Sequence, residues 1–314
     1  MKLIYIVIFS FLGISSITAQ TLKKKADITP SSNPLEINVD LVFDYNADID
    51  TTQISPVMRS KINTIDSLIT KENNTSALEL LKEINKEENE TYYFHFLKGI
   101  LEFKLDQLND AYNSIKKTID LTSNDSLKSS LYYTLGIIDL KRDYPVSSYY
   151  NFEKSYKKDS INMATLVILG TLNDKKNAID KAILFYKKAI DIDPTLNNIK
   201  NNLAFQYQEK GDHLKAINMF SDIIKEDPKS PLPYSNRSYS YLQLDNTKEA
   251  LKDVNTSLEL FSSNAYAYRN RALIYIALNN TNDACDDINK AIELGYVEKY
   301  GYDLVLLKNK HCLN

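Results

Sequence analysis

The chain has 314 residues, a formal net charge of -3 and 43% hydrophobic residues. That apolar content supports a packed core and excludes wholesale disorder, and the near-neutral charge excludes nucleic acid as the main partner, because phosphate binding needs a basic face. Seven Gly and eight Pro favour helices over a turn-rich sandwich, and 22 Tyr is a count that a repeated position must explain.

The first predicted element is an export signal. Lys2 precedes an apolar run from Leu3 to Ile14, and Ser15-Ser16-Ile17-Thr18-Ala19 ends on a small residue. This pattern predicts a secretory signal over residues 1–19, cleaved after Ala19. The run is short for a membrane span, and no cysteine sits at the cleavage point to carry a lipid. No later segment reads as a span. The expected location is periplasmic or secreted, an oxidising place.

Residues 20–57 read as an N-terminal linker, with Lys23-Lys24-Lys25 followed by TPSSNP. Within it, residues 35–45 alternate: Leu35, Ile37, Val39, Leu41, Phe43 and Tyr45 against Glu36, Asn38, Asp40 and Asp44. That is a strand pattern. A lone strand is unstable in water, so it is expected to lie against the chain's own repeats or a partner.

From residue 58 the chain repeats itself. Ser148, Ala182, Ala216, Ala250 and Ala284 stand 34 residues apart. Further columns keep that step: Leu135, Leu169, Leu203, Arg237, Arg271; Gly136, Gly170, Ala204, Ser238, Ala272; Phe152, Tyr186, Phe220, Val254, Ile288; Ser155, Ala189, Ile223, Ser257, Ala291. Within one unit, Leu203, Ala204 and Tyr207 share a face of one helix, and Ala216, Phe220 and Ile223 share a face of a second. Gly211-Asp212 separates them, and Asp193-Pro194 and Asp227-Pro228 end second helices. Small residues let the two helices approach, and the large ones fill the space around the contact. The clear units are 129–162, 163–196, 197–230, 231–264 and 265–298. Ala77 and Ala111 extend the series to 58–91 and 92–125, with three extra residues near Ser126 to Lys128.

The last repeat of such a stack has an uncovered apolar face. Residues 299–314 are expected to cap it, through Tyr302, Val305, Leu306 and Leu307. Cys285 lies on the second helix of the last unit and Cys312 ends the cap. Export and the even count favour a disulfide between them, with two buried free thiols as the alternative.

The segment KNNLAFQYQEKGDHLKAINMFSDIIKEDP resembles a tetratricopeptide repeat: Ala204, Tyr207, Gly211, Ala216, Phe220 and Pro228 stand where that family has small, aromatic, Gly, Ala, aromatic and Pro. The resemblance implies an all-α, right-handed α-solenoid of about seven helix-turn-helix repeats over 58–298, with a C-terminal capping helix. It implies a concave surface lined by first helices. The family's groove positions fall on Thr134, Ile168, Asn202, Asn236 and Asn270. The last three form an asparagine ladder suited to a peptide backbone, since a carboxamide both donates and accepts. Phe205, Tyr239 and Leu273 run beside it, and Arg269 adds a positive charge. The carboxylate clamp of chaperone-binding relatives does not carry over, because Asn201, Phe205, Asn236, Tyr266 and Asn270 hold its places. Upstream the groove is more apolar: Phe96, Ile100, Phe103, Tyr133, Ile137, Val167 and Ile168, an expected exposed stripe.

His95, His213 and His311 fit no metal or catalytic spacing, and no phosphate loop or nucleophile elbow occurs. No catalysis, cofactor, metal or nucleic acid is expected. The expected role is a scaffold that binds a peptide or partner protein in its groove. Two alternatives stand: a structural subunit of an envelope assembly with its groove permanently filled, and an envelope-glycan binder using Tyr239 and Tyr266. The sequence leaves open a monomer or a subunit of a hetero-assembly.

Overall fold

The computed structural model describes residues 56–84 and 91–312; the expected signal, the 35–45 strand and most of the linker lie outside them. The described residues form sixteen α-helices and no strand. They belong to two compact units, the first reaching Leu172 and the second running from Asn173.

The first unit holds α1 (Pro56–Thr70), α2 (Asn74–Lys82), α3 (Tyr92–Lys104), α4 (Leu108–Leu121), α5 (Asp125–Lys141), α6 (Pro145–Lys158) and most of α7 (Met163–Lys175). Each helix from α1 to α5 packs on the next in chain order. Ile62, Ile65, Leu81, Leu97 and Leu101 form a buried core under α1 to α3. The extra residues near Ser126 fall in α5, which runs 17 residues where α3 runs 13.

The second unit holds α8 (Ile179–Ile192), α9 (Asn197–Glu209), α10 (His213–Glu226), α11 (Pro231–Gln243), α12 (Thr247–Leu260), α13 (Ala265–Ala277), α14 (Thr281–Glu293), α15 (Tyr296–Tyr300) and α16 (Asp303–His311). Here too each helix from α8 to α14 packs on its successor, and α9 touches α11 as α11 touches α13. Sequential stacking of hairpins, with first helix against first helix, is the arrangement of a helical solenoid.

The side chains explain the stacking. Ala77, Ala111, Ser148, Ala182, Ala216, Ala250 and Ala284 are all fully buried. So are Phe152, Tyr186, Phe220, Val254 and Ile288, one turn further along the second helices. A methyl group added at Gly136 would stand 2.6 Å from the ring of Phe152, so that hairpin closes only on glycine. Two serines in alanine columns satisfy their hydroxyls internally: Ser257 donates to the Pro231 carbonyl at 2.9 Å, and Ser238 to that of Ser235 at 2.7 Å.

The turns carry a second periodicity. Glu72, Asp106, Asp143, Asn177, Gly211, Asp245 and Asn279 all have φ between 53° and 87°. In each turn the next residue's N–H donates to the carbonyl five residues before it, as Asn73 does to Leu68, Gln107 to Glu102 and Asn280 to Tyr275, at 2.8–2.9 Å. This bond satisfies a carbonyl that the helix end would leave unpaired. Asp and Asn tolerate the left-handed conformation better than other side chains, which is why one glycine serves among seven turns.

At the C-terminus, α15 and α16 fold back on α14. Leu304 is fully buried there, with Leu307 packed beside it. Tyr302 and Leu306, expected to face the repeat, point outward instead. Cys285 and Cys312 stand in disulfide geometry, with Cα atoms 5.7 Å apart. A cross-link closing a loop of that size stabilises by about 3 kcal/mol in the loop-entropy account.

Candidate functional site on the first helices of the second unit

The asparagine positions come first. Asn270 is fully buried; its Nδ2 donates to the Ser235 carbonyl at 2.9 Å. Asn236 is buried as well, and its Nδ2 reaches Asn201 Oδ1 at 3.3 Å. Both carboxamides are therefore spent tying one first helix to the preceding one, and Asn202 alone of the three is half-exposed. The expected open ladder is corrected on this point. The physical reason is helix spacing: hairpins stacked through alanines bring first helices close enough for a side chain of this length to bridge them.

A second tie follows the same logic. Ser240 donates to Gln208 Oε1 at 3.0 Å, and both residues are buried. One repeat earlier, Gln206 brings its carboxamide up to Asp174 without a well-aligned hydrogen bond.

The upstream positions differ from expectation. Phe96, Ile100, Phe103, Ile137, Ile168 and Thr134 are buried, so they present no open apolar stripe. Tyr133 and Val167 are half-buried. Burial drives the Tyr133 phenol well above its ordinary range.

What stays partly open in the second unit is a charged and aromatic face. Phe205, Tyr239, Arg269 and Leu273 are half-buried. The Arg269 guanidinium lies 5.2 Å from the ring centre of Tyr239 and 5.7 Å from that of Tyr266. It donates to Asn270 Oδ1 at 3.1 Å and to Asp303 Oδ2 at 3.5 Å, and its Nε is buried without an acceptor. His213 packs edge-on against Tyr239 at 6.4 Å. Burial pushes the Tyr266 phenol up to about 12.

Two carboxyls complete the face. Burial raises the Asp174 carboxyl above its ordinary range, partly offset by Gln206 and Lys175. Glu209 is raised by desolvation and then by the charge of Asp174, while Arg269 pulls it back. Glu209 thus lies between the charge of Asp174 and that of Arg269, and Asp303 bonds the same guanidinium. Glu209 and Asp303 are exposed and Asp174 half-buried, so the face offers carboxylates that a cation can reach.

Asp174, Glu209, Asp303, Tyr296 and Tyr300 were not singled out by sequence reading. Asp174 and Glu209 belong to no repeating column. Asp303 and Tyr300 do carry a signal: each stands one period of 34 after a residue it touches, Arg269 and Tyr266. The cap continues the register of the repeats.

The architecture defines the class: a helix-hairpin repeat protein whose partly open first-helix face suits binding. The tetratricopeptide repeat pattern matches residues 164–196, 202–230 and 265–294. The chain is 25% identical over 177 residues to a TPR repeat-containing protein of Methanocaldococcus jannaschii, covering 51% of this chain and 30% of that protein. The alignment thus spans under a third of that relative. Among solved structures, the C-terminal part of a TPR repeat-containing protein from Cytophaga hutchinsonii has a TM-score of 0.58 at 16% identity, covering 77% of this chain and 98% of that one. A tetratricopeptide repeat protein from Parabacteroides merdae has a TM-score of 0.54 at 17% identity, over 80% and 98%. YrrB, described as a TPR protein with an unusual peptide-binding site, has a TM-score of 0.52 at 18% identity, over 62% and 95%. The chain thus carries segments that match the tetratricopeptide repeat, and its described residues are all-helical and built as an α-solenoid. Proteins of this fold generally mediate protein–protein interaction.

Proposed function

We propose that the chain is a non-catalytic scaffold that holds an extended segment of a partner protein against the first helices of the second unit. The carrying observation is the partly desolvated carboxyl pair, Asp174 and Glu209, beside the half-buried strip of Phe205, Tyr239 and Leu273. The strip supplies apolar contact, and Asn202 offers a carboxamide to the partner's backbone. The carboxylates favour a lysine or arginine side chain, whose charge would relieve their mutual repulsion. Arg269, held between two tyrosines, keeps the acidic face from accepting cations along its whole length.

Export belongs to the same proposal. Its support is the Lys2 to Ala19 pattern, together with a cysteine pair placed within bonding distance. Fractionation of the native cells with N-terminal sequencing checks it: a mature chain starting at Gln20 in an extracytoplasmic fraction is the expected result. The burial of Phe96, Ile100, Ile137 and Ile168 favours assigning peptide contact to the second unit rather than the first.

A photoreactive residue at Tyr239 tests the binding site in the native cell. The expected result is one dominant captured partner, lost in the Asp174→Asn/Glu209→Gln variant. Capture that survives this double change, or that arises equally from a probe at exposed Leu214, refutes the assignment.

A further inference from the structure

We infer that the Cys285–Cys312 link is a redox control on the binding face: reducing it loosens the cap and, through the cap, Arg269 and Tyr266. The inference rests on the proposed binding site for its meaning, but the mechanical coupling stands on contacts of its own.

The link joins α14 to the residue that ends α16, and α15 and α16 lie wholly inside the loop it closes. Every cap residue that touches the binding face lies in that loop. Tyr296 is buried and stacks on Tyr266, with ring centres 6.4 Å apart and planes 18° apart. Tyr300 meets both rings, at 5.4 Å from Tyr266 and 4.9 Å from Tyr296. Asp303 accepts from the Tyr296 hydroxyl at 3.3 Å and from Arg269 at 3.5 Å. Arg269 in turn lies over Tyr239 at the open side of the face. A continuous chain of contacts therefore runs from the cap to the proposed site.

Without the covalent link, α16 is held by Leu304, Leu307 and the bonds to Asp303, all near its first half. It has nine residues, a length at which a helix is marginal without packing. Leu304 is its one fully buried side chain, while Leu306, and Tyr302 just before the helix, face solvent. Gly301, at φ 109°, separates it from α15. Both cysteines are half-buried, so a small dithiol reaches the bond. The thiolate of the dithiol attacks one sulfur and the other cysteine leaves as a thiolate. The second thiol of the reductant then displaces the first cysteine. The protein gains two thiols and the reductant becomes a cyclic disulfide.

Hydrogen exchange of the full chain, oxidised and after dithiothreitol, tests the coupling. Residues 296–312 and the N-terminal half of α13, around Tyr266 and Arg269, are expected to exchange about tenfold faster or more after reduction, while α9 and α10 keep their rates. The Cys285→Ser/Cys312→Ser variant should show the fast pattern in both conditions, which separates the bond from other effects of the reductant. Asp303→Asn, with the link intact, should accelerate α13 without freeing 305–312. If reduction speeds 296–312 and leaves α13 unchanged, the cap is redox-sensitive but not a control on the face, and the inference fails. If neither changes, the link holds nothing and the inference fails at its first step. Neither failure touches the binding assignment, which the Tyr239 probe decides on oxidised protein.

Discussion

Hairpin 197–230 and the two hairpins that follow solve the same packing problem with opposite chemistry. In the first, the column facing the second helix holds Leu203, and the matching place on the second helix holds Met219. In the next two, those columns hold Arg237 with Asp253 and Arg271 with Asp287. Each arginine is bidentate to its aspartate, at 2.6 and 2.8 Å in one hairpin and 2.7 and 2.8 Å in the other. Each also donates back to the preceding second helix, to Ser221 at 2.8 Å and to Asn255 at 2.9 Å. Each sits between two tyrosines at matching positions, Tyr234 and Tyr241 or Tyr268 and Tyr275. An ionic unit of five side chains is thus present twice, one period apart. The alanine scaffold around it is unchanged, so the fold is indifferent to which chemistry fills the seam. What differs is tolerance: an apolar seam loses area when cut, and an ionic one strands a charge.

Breaking one ion pair gives the largest expected effect. Asp253 is nearly fully buried, so Asp253→Ala leaves Arg237 without its counter-charge in a desolvated seam. The expected cost is about 3–5 kcal/mol, the usual penalty for removing one partner of a buried pair. Chemical denaturation measures it, and the loss should localise to α11 and α12, because repeat proteins transmit stability through neighbours. The same change at Asp287 should weaken α13 and α14.

Converting the seam sharpens the comparison. Arg237→Leu with Asp253→Met transplants the residues of hairpin 197–230 into its neighbour. Replacing a buried pair by packed apolar groups is expected to be neutral or to stabilise by about 1–4 kcal/mol. The midpoint of denaturation should therefore stay level or rise, in contrast to Asp253→Ala. A loss as large as that of the single change would show that the bond to Ser221 and the tyrosine contacts hold the hairpin more than the pair itself does.

These seams also mark where sequence reading stops. The small-residue columns predict the stacking, because each alanine performs the same task in every repeat. Arg237 and Arg271 are visible as intruders in a leucine column, yet their partners lie 16 residues away on the other helix, a spacing that column alignment does not test. The asparagine ladder misleads for a related reason. Columns step by 34, but ties between first helices step by 35, as from Asn236 to Asn201, or by 32, as from Ser240 to Gln208. A column read as a surface is partly a seam. The left-handed turn positions were legible only at Gly211, since Asp and Asn adopt the same backbone without announcing it.

Those turns provide a smaller contrast. A side chain at Gly211 would meet nothing within 4 Å, so Gly211→Ala tests backbone strain alone. Its expected cost is about 1 kcal/mol. Glu72→Gly, at φ 59°, should act in the opposite direction by a similar or smaller amount, because glutamate lacks the short polar side chain that eases this conformation. Thermal unfolding of both variants reads the two signs against each other.

The smallest expected effect is a slope, and it separates seam charges from face charges. Asp174 and Glu209 have carboxyls raised in the fold, mainly by desolvation, so folding retains protons that the unfolded chain would release. Such groups cost stability above their raised values, and the cost fades as pH falls through those values toward the ordinary carboxylate range. Asp174→Asn/Glu209→Gln removes the cost and should be more stable than the parent at neutral pH, with the advantage vanishing in acid. Binding of a cationic partner runs the other way: it requires the ionised carboxylates, so affinity should rise with pH over the same interval. A double variant that binds the partner as tightly as the parent, or a parent whose affinity is flat across that interval, would mean that these two acids take no part in binding.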